Sequence, residues 1–400
     1  MDKTLFSKFK FLNMQDKINL SLYVHWPYCE SKCPYCDFNS HVMETVDLDY
    51  WSRSYVNQLY EMKEQLIKFD VQFDKLNTIF FGGGTPSLMP FSIIEKILSV
   101  SSKLFKFNDN IEITLEANPS SYEIKRFKNL KRLGINRLSI GVQSLNDKNL
   151  KFLGRTHNYK DSEKAIESAT KIFENISVDI IYGLYGQKIE DWTKELESFV
   201  KKFNLHHLSL YQLNIEEGTK FFTDYKKGLL KTIDTDLAAD FYDVTNQILI
   251  QKEFYKYEIS NYSKKGFESK HNLNYWKSAN WIGVGPGAYG RIWSLNAKNK
   301  RVEFQNYKNP KTWLSKNFYK SDFEKIKFFD NHEIDTDTLI MGLRLNNGIE
   351  ISKLIDRSII KNEKFKELQE KNFITIDNKM IKVNEDYMIK LNSIINFLIN

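Results

Sequence analysis

Short apolar runs alternate with longer helix-like segments through the first half of the chain, and this alternation limits the fold more than any other feature. Parallel strands joined by crossover helices produce this pattern. Six strand-like runs favour a parallel barrel or partial barrel over a doubly wound sheet, and in either fold the chemistry lies at the carboxyl ends of the strands. The predicted strands are 21–26, 77–81, 111–116, 137–142, 177–182 and 207–213. The predicted helices are 49–67, 91–104, 121–133, 160–173, 189–203 and 235–251.

The pattern changes after about residue 215 and divides the chain into four predicted regions. A polar extension, 1–18, precedes a barrel over 19–253. The next region, 254–319, is rich in aromatic residues and glycine and has no simple period. A smaller α+β or helical domain is predicted over 320–400, with helices near 337–345 and 363–371, a hairpin over 374–383 around Asp377-Asn378, and a closing helix.

The charge and the hydropathy pattern exclude two classes of partner. The chain carries 58 basic and 51 acidic side chains, a net charge of +7, and its lysines are spread along the whole length. Nucleic-acid binding requires basic residues clustered on one face, so we predict no nucleic-acid partner. No apolar run approaches the ~20 residues of a membrane span, and no signal peptide is visible, so we expect a cytoplasmic protein.

The three cysteines of the chain fall within eight residues, directly after the first predicted strand. Cys29, Cys33 and Cys36 have the spacing C-x3-C-x2-C, which is too cramped for a disulfide framework. Three thiolates at this spacing can hold three irons of a [4Fe-4S] cluster and leave the fourth iron open. A zinc site is the alternative, and it would need a fourth ligand such as His25 or His41.

This cysteine loop, with the aromatic Tyr35 before its third cysteine, resembles the signature of the radical S-adenosylmethionine (radical SAM) superfamily. The resemblance implies a partial (β/α)6 barrel, in agreement with the six predicted strands. It also implies that S-adenosylmethionine (SAM) binds the open iron, and that one electron from the cluster cleaves its sulfonium.

Further residues at the ends of the predicted strands match positions that contact SAM in coproporphyrinogen-dehydrogenase-like members of the superfamily. Glycines at a strand end allow close approach of a ligand, and a guanidinium suits a carboxylate. Three consecutive glycines, 82–84, exceed what an ordinary turn requires and favour contact with a ligand. Singly, Glu116, Gln143, Arg155 and Asp179 are each equally well explained as polar residues at the surface or at a strand end. The SAM residues that the resemblance implies are Tyr23, Tyr35, Gly83, Gly84, Thr85, Glu116, Gln143, Arg155 and Asp179.

The resemblance extends over residues 20–400 and is strongest to the haem chaperone branch of these proteins. The dehydrogenase branch carries a further cysteine at the position of Phe38, whereas the branch motif His-Asn-x-x-Tyr-Trp is complete from His271 to Trp276. His271 is a candidate haem ligand because imidazole is a common axial ligand; a histidine bonded within an aromatic core is the structural alternative.

This branch implies a protein that binds haem and transfers it to acceptor proteins such as respiratory haem enzymes. Peripheral contact with a membrane and a homodimer are further expectations. The enzymatic alternative is an oxygen-independent coproporphyrinogen III dehydrogenase, which decarboxylates two propionates by radical chemistry. The sequence leaves productive cleavage of SAM open.

Overall fold

A computed structural model of the protein describes residues 19–295 and 300–399. The predicted polar extension, 1–18, lies outside these described residues. No helix in the described ranges is long and apolar enough to cross a membrane.

Six parallel strands that neighbour one another in chain order form the centre of the fold. They correspond to the six strands predicted from the sequence, and together they confirm the α/β barrel prediction. The strands are β1 Asn19–Trp26, β2 Tyr28–Cys29, β3 His41–Val42, β4 Lys75–Gly83, β5 Phe107–Ala117, β6 Arg137–Gln143, β7 Asn175–Tyr182, β8 His207–Gln212, β9 Tyr255–Lys256, β10 Asn261–Ser263, β11 Asn280–Val284, β12 Tyr289–Trp293, β13 Arg301–Gln305, β14 Lys325–Phe329, β15 Ile349–Glu350, β16 Ile374–Asp377 and β17 Met380–Val383. Within the described residues, twelve of these strands form one sheet, in the order β14-β13-β12-β11-β1-β4-β5-β6-β7-β8-β10-β9.

Helices cover the outer face of the barrel. Polar residues cap the amino ends of these helices. The side chain of Asp47 accepts a hydrogen bond from the amide of Tyr50, and that of Asp234 accepts one from the amide of Leu237. The helices are α1 Leu48–Lys68, α2 Phe91–Leu104, α3 Ser121–Arg132, α4 Asp147–Phe152, α5 Tyr159–Thr170, α6 Ile189–Lys202, α7 Lys220–Lys226, α8 Thr235–Gln251, α9 Lys270–Trp276, α10 Pro310–Asn317, α11 Asn331–Gly342, α12 Glu363–Glu370 and α13 Leu391–Ile399. The predicted helices 91–104 and 235–251 have the observed bounds.

The parallel strands separate an apolar outer face from a polar interior. On β1, Leu20, Leu22 and Val24 are fully buried in the main apolar core, together with residues of the surrounding helices. The alternate residue Ser21 accepts a hydrogen bond from Thr78 of β4 at 2.7 Å. Because successive strand residues face opposite sides, the inner side of each strand is free to carry polar groups toward the carboxyl ends.

The region without a simple period, 254–319, adds strands to both edges of the barrel sheet. β11 pairs in parallel with β1, so that Leu20 lies opposite Asn280 and Val24 opposite Val284. β10 pairs antiparallel with β8 on the other edge. The sheet is thus continuous across the predicted boundaries at 253/254 and 319/320, and those boundaries remain predictions.

The carboxy-terminal residues build a second apolar core, which contains Leu339, Phe365, Ile381 and Ile395. A three-stranded antiparallel sheet in the order β15-β17-β16 lies in this part of the chain. The predicted hairpin over 374–383 is present, and its turn residues Asn378 and Lys379 have φ of 48° and 66°. Such left-handed residues are typical of a tight hairpin turn.

Candidate functional site

A cavity of about 440 Å³ opens at the carboxyl ends of the parallel strands. It lies where the fold predicts a site, and it brings most of the predicted site residues together. The predicted residues that line it are Cys29, Cys33, Tyr35, Cys36, Gly83, Gly84, Thr85, Glu116, Gln143, Arg155 and Asp179.

The loop that carries the three cysteines is fixed by backbone hydrogen bonds on two sides. The amide of Met43 donates to the carbonyl of Cys29 at 2.8 Å, which closes the loop where β2 and β3 pair. The amides of Gly84 and Thr85 donate to the carbonyls of Trp26 and Tyr28 at 2.7 and 2.9 Å. The loop is therefore attached directly to the end of β4.

Each of the three half-buried thiols has a neighbouring polar group. Arg155 Nη1 donates to Cys33 Sγ at 3.2 Å, and Ser40 Oγ lies 3.6 Å from Cys36 Sγ. Burial raises the pKa of the Cys29 thiol to about 11, so this thiol is neutral at pH 7 unless a cation binds it. In the ranges 19–295 and 300–399, no three His, Cys, Asp or Glu side chains are close enough to share one metal ion.

Gly83 and Gly84, at the end of β4, allow close contact between backbone segments. A Cβ on Gly84 would lie 2.7 Å from the carbonyl oxygen of Tyr28. Gly83 has a φ of 115°, and its amide donates to Glu116 Oε2 at 3.1 Å. The cysteine loop thus packs on these glycines, whose other side lines the cavity.

Two half-buried carboxyl groups, Glu116 of β5 and Asp179 of β7, line the cavity. Burial, and to a smaller extent the charge of Asp179, raises the pKa of Glu116 to about 8. Burial also raises the pKa of Asp179, although Ser139 Oγ donates to its Oδ2 at 2.9 Å. A cavity with two such groups favours a ligand that is cationic or rich in hydroxyl groups.

Gln143 and Arg155 reach the cavity through unusual local structure and a hydrogen-bond network. Gln143 has a φ of 66°, which is rare outside glycine, and the β6–β7 register shifts between Gly141 and Gln143. Arg155 Nη2 donates to Asn118 Oδ1, and Asn118 Nδ2 donates to Thr85 Oγ1 at 3.1 Å. Arg155 and Asn118 therefore connect Cys33 with Thr85.

Sequence reasoning missed other residues of the cavity wall, among them Asn118, Glu123, His157 and Tyr211. Glu123 accepts hydrogen bonds from the amide of Asn118, at 2.7 Å, and from Ser87 Oγ. A signal for it was present, because Ser120 and Glu123 have the spacing of a capping box. For His157 and Tyr211 the signal was their position, since one follows Arg155 by two residues and the other lies near the end of β8.

Two predicted residues, Tyr23 and His271, are not among the residues that line this cavity. Tyr23 lies beneath it, with its hydroxyl 3.0 Å from His25 Nδ1. His271 is 1% exposed, and its ring nitrogens lie 2.7 Å from Thr78 Oγ1 and 2.8 Å from the hydroxyl of Tyr275. Both nitrogens are thus occupied by hydrogen bonds within the barrel.

Comparison with known proteins agrees with this geometry. Residues 23–199 match the radical SAM superfamily. The chain is 32% identical to "Radical S-adenosyl methionine domain-containing protein 1, mitochondrial" from Danio rerio, over 94% of this chain and 86% of that protein. It is 39% identical to "Heme chaperone HemW" from Haemophilus influenzae, over 74% of this chain and 76% of that protein. The solved structure of coproporphyrinogen III oxidase (HemN) from Escherichia coli has a similar fold, with a TM-score of 0.74, 19% sequence identity and coverage of 100% of this chain and 93% of that one.

Proposed function

Because the chain belongs to the radical SAM superfamily and, within it, to the family of the proteins named heme chaperone HemW, we propose that it binds haem and transfers it to acceptor proteins. Respiratory haem enzymes are the acceptors we propose. The observation that carries the site assignment is one cavity lined by three thiols, two half-buried carboxyl groups and a guanidinium. These groups suit a [4Fe-4S] cluster and SAM as resident cofactors.

The thiols fit a cluster by their chemistry and their support. Cys29, Cys33 and Cys36 are free thiols on a loop that backbone hydrogen bonds hold against β4. Thiolates are the usual ligands of iron-sulfur centres. When bound, such a cluster supplies an open iron and one electron; the chain contributes Arg155, whose N–H group donates to Cys33 Sγ.

The carboxyl groups fit the ammonium and ribose hydroxyl groups of SAM. Glu116 and Asp179 are half-buried and have raised pKa values, mainly because desolvation disfavours their charged forms. A cationic or hydroxylated ligand would offset that cost, since an opposite charge nearby favours the ionised carboxylate. Gln143, which keeps a strained backbone at the cavity wall, adds an amide that can bond the same ligand.

Phe38 supports the chaperone over the dehydrogenase. It lines the cavity at the position of the dehydrogenase's further cysteine, and 58% of its surface is exposed. An exposed aromatic face suits a flat apolar ligand such as a porphyrin. Contact with membrane-bound acceptors and a homodimer are further parts of this proposal.

One reconstituted preparation tests both functions under anaerobic conditions. We expect haem added to the protein to shift its Soret band and then to pass to an apo-acceptor. Incubation with coproporphyrinogen III, SAM and a reductant should yield no protoporphyrinogen. Formation of protoporphyrinogen would contradict a function restricted to haem transfer.

A further inference from the structure

Asn118, on the wall of the cavity, is held in place by the backbone on both of its sides. It follows β5 directly and precedes Pro119, and a proline restricts the residue before it to extended conformations. The buried carboxyl group of Glu123 accepts hydrogen bonds from the amide of Asn118, at 2.7 Å, and from Ser87 Oγ. Because Ser87 lies two residues after Thr85, Glu123 connects the two segments that carry Asn118 and Thr85.

The side chain of Asn118 accepts a hydrogen bond at one end and donates one at the other. A guanidinium is only a donor, so the Asn118 atom that faces Arg155 Nη2 is the carbonyl oxygen Oδ1. The other atom, Nδ2, then donates to Thr85 Oγ1 at 3.1 Å. Since the oxygen of Thr85 accepts this bond, the hydroxyl proton of Thr85 is available for an acceptor other than Asn118.

Both hydrogen-bond partners of Asn118 also contact cysteine thiols. Arg155 Nη1 donates to Cys33 Sγ at 3.2 Å. Burial raises the pKa of Cys29 to about 11, and a hydrogen bond with the side chain of Thr85 partly offsets this rise. Two of the three thiols are therefore connected to each other through Asn118.

Donors that face the cysteine sulfurs affect how easily an iron-sulfur cluster takes up an electron. Hydrogen bonds to the sulfurs are among the factors that set the reduction potential of such a cluster. Reduction adds one negative charge, so a donor or a cation beside a sulfur stabilises the reduced form more than the oxidised form. A donor has this effect only while its hydrogen points at the sulfur, and Asn118 bonds both of the donors described above.

We propose that Asn118 is a positioning residue that directs the donors of Arg155 and Thr85 toward two cluster sulfurs and thereby raises the reduction potential of the cluster. The proposal rests on the proposed function, which supplies the [4Fe-4S] cluster. Without the Asn118 side chain, the guanidinium and the hydroxyl each lose a hydrogen bond that fixes their orientation. Both groups are then free to turn away from the sulfurs.

A redox titration of the full-length protein with its reconstituted cluster tests the proposal. Dithionite supplies the one electron that each cluster takes up, and electron paramagnetic resonance measures the reduced fraction under anaerobic conditions. For Asn118→Ala we expect reduction to be about tenfold less favourable, which for one electron is a shift of about 59 mV to more negative potential. Water entering the vacated space would stabilise the reduced form and shift the potential in the opposite direction, so the sign separates the two effects.

Further variants separate the two donors and provide a control. Thr85→Val removes the hydroxyl and should give a smaller shift in the same direction. In the Thr85→Val background, Asn118→Ala should have less effect than in the wild type, since one of its two partners is already removed. Asn214→Ala changes an exposed asparagine of the same cavity, which donates to Glu216 at 2.7 Å, and should keep the wild-type potential.

The proposal is wrong if Asn118→Ala holds a complete cluster and keeps or raises the potential. It is also wrong if Asn214→Ala lowers the potential equally, because the shift would then reflect only the general polarity of the cavity. If Asn118→Ala assembles no cluster, Thr85→Val decides, and an unchanged potential in that variant contradicts the proposal. A wild-type protein whose iron content shows no cluster contradicts the proposed cofactor itself, and with it this role of Asn118.

Discussion

At the scale of single residues, the cavity holds two carboxyl groups whose pKa values are raised mainly because burial disfavours their charged forms, and the charge of Arg137 offsets this only in part for Asp179. Within the described residues, the guanidinium of Arg155 donates to Cys33, Asn118 and the carbonyl of Gly141, but not to Glu116 or Asp179. Residues of a binding site often lower the stability of the ligand-free protein in this way. Because the pKa of Glu116 is raised, a rise in pH should lower the free energy of unfolding of the protein. The same rise should strengthen the binding of a cationic ligand, since it produces the carboxylate.

Replacement of Glu116 by Gln tests this opposition. The pKa of Glu116 is about 8 in the folded protein, above its ordinary value of 4.5. A carboxyl group with a raised folded pKa contributes stability that is lost as the pH rises from 4.5 through 8. We expect Glu116→Gln to increase the free energy of unfolding of the cofactor-free protein at pH 8.5 by roughly 1–3 kcal/mol, with little change at pH 4.5.

The same variant should bind SAM more weakly, since it cannot offer a carboxylate to a cation. Urea denaturation at the two pH values and calorimetric titration with SAM measure the two effects. Glu367→Gln, an exposed residue of α12, is the control, with wild-type values expected in both experiments. An equal change in the free energy of unfolding at both pH values would contradict a raised pKa of Glu116.

At the scale of elements, α9 closes the amino-terminal end of the barrel. Glu112 of β5 accepts the first amides of this helix, from Lys270 at 3.2 Å and from His271 at 3.1 Å. Arg137 lies 3.5 Å from the same carboxylate, and both side chains are more than nine-tenths buried. The branch motif that begins at His271 thus forms part of the barrel interior, where it packs on Phe80 and near Tyr23.

The sequence predicts the strands and helices of this arrangement, but it does not predict the contacts between residues that lie far apart in the chain. Strand and helix periods are local, so β1, β4 and the helices around them were found within a few residues of their true ends. The sequence did not predict β11 because its five residues show no regular alternation of apolar and polar side chains. Its partner β1 also lies about 260 positions earlier in the chain. The contact between Glu112 and His271 joins residues 159 positions apart, and a pattern within either segment does not encode it.

The support of α9 predicts a large effect for Glu112→Ala. The substitution leaves Arg137 as an unpaired buried cation and removes the acceptor for two helix amides. Loss of one partner of a buried ion pair costs about 3–5 kcal/mol, so urea denaturation should show a decrease of that order. Glu367→Ala, which breaks the exposed pair with Lys371, should change stability by less than about 0.5 kcal/mol. A similar small change in both variants would mean that Glu112 does not hold the helix.

At the scale of the whole molecule, two apolar cores are joined by polar contacts and by Tyr242 of α8, which packs in the second core. The barrel core is centred on the parallel sheet, and the second core lies around the carboxy-terminal hairpin. Arg291 of β12 pairs with Glu303 of the neighbouring strand and bridges to Asp337 of α11, and the amide of Asn346 donates to the carbonyl of Tyr257 at 3.2 Å. The cavity, by contrast, is lined by residues of the barrel and its loops.

Cofactor loading should therefore slow amide hydrogen exchange in the barrel more than in the carboxy-terminal part of the chain. Binding stabilises the folded state by about 2.7 kcal/mol at a ligand concentration of 100 times its Kd, and an amide gains protection only if its opening disrupts the site. On anaerobic loading with cluster and SAM, we expect slower hydrogen exchange in residues 26–36, 83–85 and 141–143, and unchanged exchange in residues 374–383. A variant with Cys29, Cys33 and Cys36 all replaced by Ala should show no difference. Equal protection of both parts would mean that the two cores open as one cooperative unit, with the contacts of Arg291 strong enough to couple them.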